Sequence, residues 1–142
     1  MPDFGALFAR AWRIERTISD RDGGRVWRAA GSAAFTPLAK GVAGYDESVV
    51  VSHRSLAMRA SRAYVYRVLT PAILEIDFAN GLPFCRLVFI DGAATAVHHC
   101  RDDEYRGGLT FESAERWRSH WSIRGPNKTL EIDTRYEVAL HL

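Results

Sequence analysis

Apolar and polar residues alternate one by one along most of this chain, and a period of two leaves little choice of fold. The clearest case lies near the C-terminus, where Leu130, Ile132, Tyr136 and Val138 fall on one face and Glu131, Asp133, Arg135 and Glu137 on the other. Such a strand covers a core with one side and meets water with the other. Turn residues return at short intervals, as Asp22-Gly23-Gly24, Asn80-Gly81, Asp91-Gly92, Gly107-Gly108 and Gly125-Pro126-Asn127, and mark hairpins. The pattern predicts about ten strands, over residues 12–19, 25–35, 42–51, 56–69, 73–79, 84–90, 95–101, 104–112, 116–124 and 129–139.

Ahead of the strands, Phe4, Leu7, Phe8 and Ala11 repeat at helical spacing, and Asp3 is placed to cap them. This predicts a short helix over residues 3–11, acting as a lid or plug. No second helical pattern is long enough to cover a sheet, so the strands must bury their apolar faces against one another. The expected fold is all-β: an antiparallel up-and-down barrel, calycin-like, with an interior cavity. A stacked sandwich is the alternative, but closure removes exposed edges and short hairpin links suit a meander.

A length of 142 residues suits one domain, 1–142, and 47% apolar with 25% charged residues is the balance of a globular protein. The net charge of +2 arises from 19 basic and 17 acidic residues without a basic run, which argues against nucleic acid as a partner. No apolar run approaches the roughly 18 residues of a membrane span. Met1-Pro2-Asp3-Phe4 lacks the basic and apolar regions of a signal peptide, so a cytoplasmic protein is expected. Cys85 and Cys100 show no C-x-x-C spacing and read as reduced thiols. Lys40 and Lys128 are the only lysines, and the richness in arginine and alanine suits a GC-rich bacterial genome. The oligomeric state stays open.

Alternation also groups the residues that could carry chemistry. Met58, Ala60, Arg62, Tyr64 and Tyr66 share one face of the fourth strand. Turned inward, they line a barrel with a guanidinium and two phenols, a recognition device for a carboxylate. Two other arrangements fit the same residues: Arg62 paired with an internal acid such as Glu47, or a register that turns Arg62 to water. Glu47 shares a face with Tyr45, Val49 and Val51, where burial would raise its pKa and suit it to acid–base work; the alternative is a solvated turn at Asp46-Glu47. Glu47, Tyr64 and His98 are therefore the catalytic candidates. His98, His99, Cys100 and Asp103 include metal-ligand types, but no second cluster completes a tetrahedral set, so neither a metal nor a cofactor is expected. His98 is the one candidate for an axial haem ligand; the bland reading is a buried histidine satisfied by a phenol. Trp117, Ser119, Trp121 and Ile123 form one face of the ninth strand, to pack the core or stack on a ligand, opposite Arg118, His120, Ser122 and Arg124.

The chain also resembles a family of short bacterial and fungal proteins of unknown function. The resemblance runs through Trp12-Arg13-Ile14-Glu15-Arg16, Gly31-x-Ala33-x-Phe35, Ala60-x-Arg62-x-Tyr64, His98-x-Cys100-x-x-Asp103-x-Tyr105 and Trp121-x-x-x-Gly125-Pro126-x-Lys128, nearly the whole chain. A tryptophan on the first strand of a small barrel further resembles lipocalins and other calycins, which implies a hydrophobic ligand.

The expected function is binding of a small, mainly apolar molecule that could bear a carboxylate, with Arg62, Tyr64, Tyr66, His98, Tyr105, Trp121 and Tyr136 as ligand-binding residues. One alternative is a cofactor-free lyase or isomerase acting on an aromatic or polyketide-like acid in the same cavity. Another is a structural or protein-binding domain whose interior is filled by side chains.

Overall fold

The computed structural model describes residues 2–139. A five-residue helix, α1 (Phe4–Phe8), leads into ten strands: β1 (Ala11–Asp20), β2 (Arg25–Ala39), β3 (Val42–His53), β4 (Leu56–Thr70), β5 (Ile73–Phe78), β6 (Pro83–Val88), β7 (Ala93–Cys100), β8 (Asp103–Ser113), β9 (Arg116–Gly125) and β10 (Lys128–Val138). All pairings are antiparallel, and the sheet runs in the order β6-β5-β4-β3-β2-β1-β10-β9-β8-β7. Each strand except β6 and β7 pairs with both its neighbours in sequence, and β1 closes against β10, with Trp12 opposite Val138 and Ile14 opposite Tyr136. The ends of the sheet, β6 and β7, lie side by side, joined by the Ile90–Ala93 bridge of their turn. The expected up-and-down barrel is therefore present and nearly closed.

Strand limits differ from the alternation reading at a few points. β2 continues beyond Phe35 to Ala39, and its register with β3 slips between Pro37 and Ala39. Proline has no N–H for the ladder and sits at such irregularities, so it did not end the strand. The helix is shorter than residues 3–11: Ala11 already pairs with Ala34 of β2, although its spacing from Phe4 is helical. The Asp3 carboxylate accepts from the Ala6 N–H at 3.0 Å, as a cap should.

The helix closes one end of the barrel. Phe4 meets Phe89 and Phe111 with ring centres 5.7 and 6.2 Å away, and Phe8 meets Phe35 at 5.1 Å. The Trp12 indole N–H donates to the Leu7 carbonyl at 3.1 Å, tying β1 to the plug. One tight turn illustrates the local chemistry: Asp91 and Gly92 both have positive φ, 52° and 81°, the type I′ geometry that matches strand twist.

Beyond the plugged end, the wall is uneven. β3 and β4 span 12 and 15 residues, whereas β5 and β6 span six each. Pairing of β4 with β5 begins only at Tyr64–Phe78, so residues 56–63 of β4 are bonded to β3 alone. This leaves a notch in the wall at the end opposite α1.

Candidate functional site

Inside the barrel, polar side chains come from six strands, β1, β3, β4, β8, β9 and β10. The first is Arg16 of β1, which stands opposite Thr134 of β10 and Ala29 of β2 and is almost wholly buried. Its two terminal nitrogens donate to the two carboxylate oxygens of Glu47 at 2.6 and 2.8 Å, and its Nε donates to the Thr134 hydroxyl at 2.8 Å. The Tyr45 hydroxyl donates to Glu47 Oε1 at 2.6 Å and lies 2.9 Å from the Tyr136 hydroxyl. A buried charge is tolerable only when paired and hydrogen-bonded, and this fork-to-fork pair with two phenols and a threonine meets that condition.

The network corrects two expectations about Glu47. It is not in a solvated turn: it lies within β3 with 4% of its surface exposed. Nor is it an acid of raised pKa. Burial does push the carboxyl up, but bonds from Arg16 and Tyr45, with the nearby Arg62 charge, outweigh this and hold it below the usual carboxylate range. The phenols go the other way. Burial holds Tyr45, Tyr66 and Tyr136 above the ordinary tyrosine value, and it does the same to Tyr64 despite the opposing charge of Arg62.

A cavity of about 70 Å³ adjoins this network, lined by Arg62, Tyr64, Tyr66, Phe84, Tyr105, Trp121, Tyr136, Ser119 and the aliphatic Ile76, Leu109, Ile123 and Ile132, with Arg16, Tyr45, Glu47 and Thr134 along one side. The interior is therefore not filled by side chains. Arg62 stands in register with Glu47, on the inward face, as one alternation reading has it. It remains exposed, because β5 ends opposite Tyr64 and no strand covers the next residues of β4. Glu47 is not its partner: its carboxylate accepts from Arg16 and Tyr45, and its salt bridge is to Arg16. Among the described residues no carboxylate lies in salt-bridge range of Arg62.

Of the seven expected ligand-binding residues, Arg62, Tyr64, Tyr66, Tyr105, Trp121 and Tyr136 line the cavity. His98 does not: it is half-buried behind them, edge-on to Phe78, Phe84 and Tyr105, with centres 5.1–5.9 Å apart. Among the described residues no hydrogen bond joins it to the Tyr105 phenol. Among the described residues no three His, Cys, Asp or Glu side chains converge, and Cys85 and Cys100 are both free. Trp117 lies in the core, stacked on Tyr136 with ring centres 3.6 Å apart.

Sequence reasoning missed Arg16. Its signal was available: it follows Trp12 and Ile14 on the inward face of β1, an arginine on an otherwise apolar row. It also missed a latch at the open end, where Lys128 reaches Asp103 at 3.1 Å. A Cβ on Gly125 would stand 1.9 Å from Asp103 Oδ1, so glycine is what admits that side chain.

Fold and site together define a ten-stranded antiparallel barrel, plugged at one end, with a charged network and a small cavity inside. The chain belongs to the family of unknown function DUF6314, which it matches over residues 8–138. No curated protein matches it in sequence. Among solved structures it is similar to the S-type phycobiliprotein lyase CPES from Guillardia theta, with TM-score 0.69 and 8% identity, covering 98% of this chain and 94% of that one. It is also similar to EF1p2_mFAP2b bound to DFHBI, with TM-score 0.52 and 14% identity over 94% of each chain. A fluorescence-activating β-barrel designed de novo gives TM-score 0.51 and 11% identity, covering 95% of this chain and 97% of that one.

Proposed function

We propose that the chain binds a small, flat monoanion in the barrel, with its ring among the aromatic side chains and its carboxylate on Arg62. The observation that carries this reading is the charge count along the cavity. Arg16 and Glu47 neutralise each other, which leaves the Arg62 guanidinium as a cation with no carboxylate of its own. Seven of the sixteen lining residues are aromatic, Tyr45, Tyr64, Tyr66, Phe84, Tyr105, Trp121 and Tyr136, which favours a planar ring over an alkyl chain. A volume of about 70 Å³ is several times the 10–15 Å³ that one water needs, so a single ring fits and anything longer projects through the notch. A barrel of this fold carries DFHBI in EF1p2_mFAP2b, so an occupied interior is within its range. We assign the protein to the cytoplasm, where the free Cys85 and Cys100 would stay reduced.

Calorimetry with benzoate and its neutral isostere benzamide tests the charge. Benzoate should bind more tightly, and Arg62→Ala should cost it about 1.5–3 kcal/mol, the range for hydrogen bonds to charged groups. Arg118→Ala, on the outer face of β9, should change nothing. Equal affinity for the two probes, or equal effects of the two substitutions, defeats the reading.

A further inference from the structure

Residues 56–63 of β4 form a free edge. They pair with β3 on one side, and on the other their strand meets β5 only from Tyr64 onward. All eight except Ala60 are exposed. A strand edge of this length offers a row of unpaired N–H and C=O groups, a template for another extended chain. Its electrostatics are lopsided. From residue 48 to residue 74 the sequence contains no Asp or Glu but has Arg54, Arg59, Arg62 and Arg67, in a chain that elsewhere mixes the two signs. Arg67 is paired with Asp77. Among the described residues Arg54 and Arg59, like Arg62, have no carboxylate in salt-bridge range.

We infer that this edge docks an extended, acidic peptide segment of a partner protein by adding it as a strand to β4. The register fixes what the segment must look like. Arg59 points outward, while Met58, in register with the half-buried Val51, is on the inward side and stays 57% exposed at the notch. An incoming strand of alternating acidic and apolar residues sets its acids beside Arg59 and its apolar side chains beside Met58 and Ala60. Main-chain hydrogen bonds supply affinity, and the arginines select for negative charge. This holds whether or not a small molecule occupies the cavity.

The test uses an acetylated and amidated eight-residue peptide of alternating Glu and Val, the same peptide N-methylated at every residue so that neither edge can donate, and the full chain. Titration of the first peptide should slow amide exchange at residues 56–63 and leave β7 and β8 unaffected. The N-methylated peptide should not bind, because it cannot complete the ladder. Exchanging both Arg54→Glu and Arg59→Glu should weaken binding about tenfold while the melting temperature holds, two exposed charge contacts having become repulsions. The inference is overturned if the Glu-Val peptide fails to bind or if N-methylation or charge reversal makes no difference. Slow exchange at residues 56–63 without peptide, in a chain that sediments as a dimer, overturns it in favour of a second copy of this chain.

Discussion

Arg16 and Glu47 illustrate how little a single side chain's chemistry says until its partner is known. Both are buried, and each is tolerated because the other is there. Arg16→Ala leaves a buried carboxylate uncompensated and should cost about 3–5 kcal/mol, whereas Arg16→Met combined with Glu47→Leu should be far milder. Thermal unfolding of the two variants checks this; an equally low melting temperature in both would mean that the apolar pair cannot repack there. Gly31 makes a different kind of commitment. A Cβ there would stand 2.0 Å from the Ser48 carbonyl oxygen and 2.7 Å from the Val49 Cα, backbone atoms that cannot swing aside. Gly31→Ala should therefore destabilise by about 3 kcal/mol or more, from overpacking between β2 and β3. A melting temperature within a degree or two of the parent would contradict that crowding.

At the level of elements, α1 is too short to be stable alone and is held by what it covers. Phe4 and Leu7 are buried in the plug, and Phe8 stacks beside Phe35. Phe4→Ala should cost about 3–5 kcal/mol if the barrel end cannot collapse around the void. Because Trp12 donates to the Leu7 carbonyl, loosening the helix should also shift tryptophan emission to the red. Unchanged emission and stability would show the barrel end to be sealed without α1. The free length of β4 is also a property of elements rather than residues: it exists because β5 and β6 are six residues long while β3 and β4 are at least twice that.

For the whole molecule, the interior network sets the pH range of stability. Glu47 has a folded pKa below its ordinary 4.5, so its contribution is complete above that value and drains away as pH falls through the folded value. The phenols have folded values above 10, so theirs is complete below 10 and is lost as pH rises beyond it. The melting temperature should stay level between about pH 5 and pH 9 and fall on both sides. An acid-side fall identical in Glu47→Gln would detach it from Glu47. What the sequence determined by itself was the all-β meander, its strand order and which residues share a face, because alternation and turn chemistry are local; which face of the fourth strand turned inward it left open. It also grouped Arg62, Tyr64 and Tyr66 on one face by that parity and named Tyr105, Trp121 and Tyr136 beside them as candidates, and the cavity lining contains all six. What only the tertiary structure decided was pairing across the barrel: that Arg16 rather than Arg62 neutralises Glu47, that His98 sits behind the cavity, and that Asp103 reaches Lys128 past Gly125. Parity says which side of the wall a side chain is on, but distances across an interior depend on how strands of unequal length stagger around the closed sheet, and no single strand's pattern contains that.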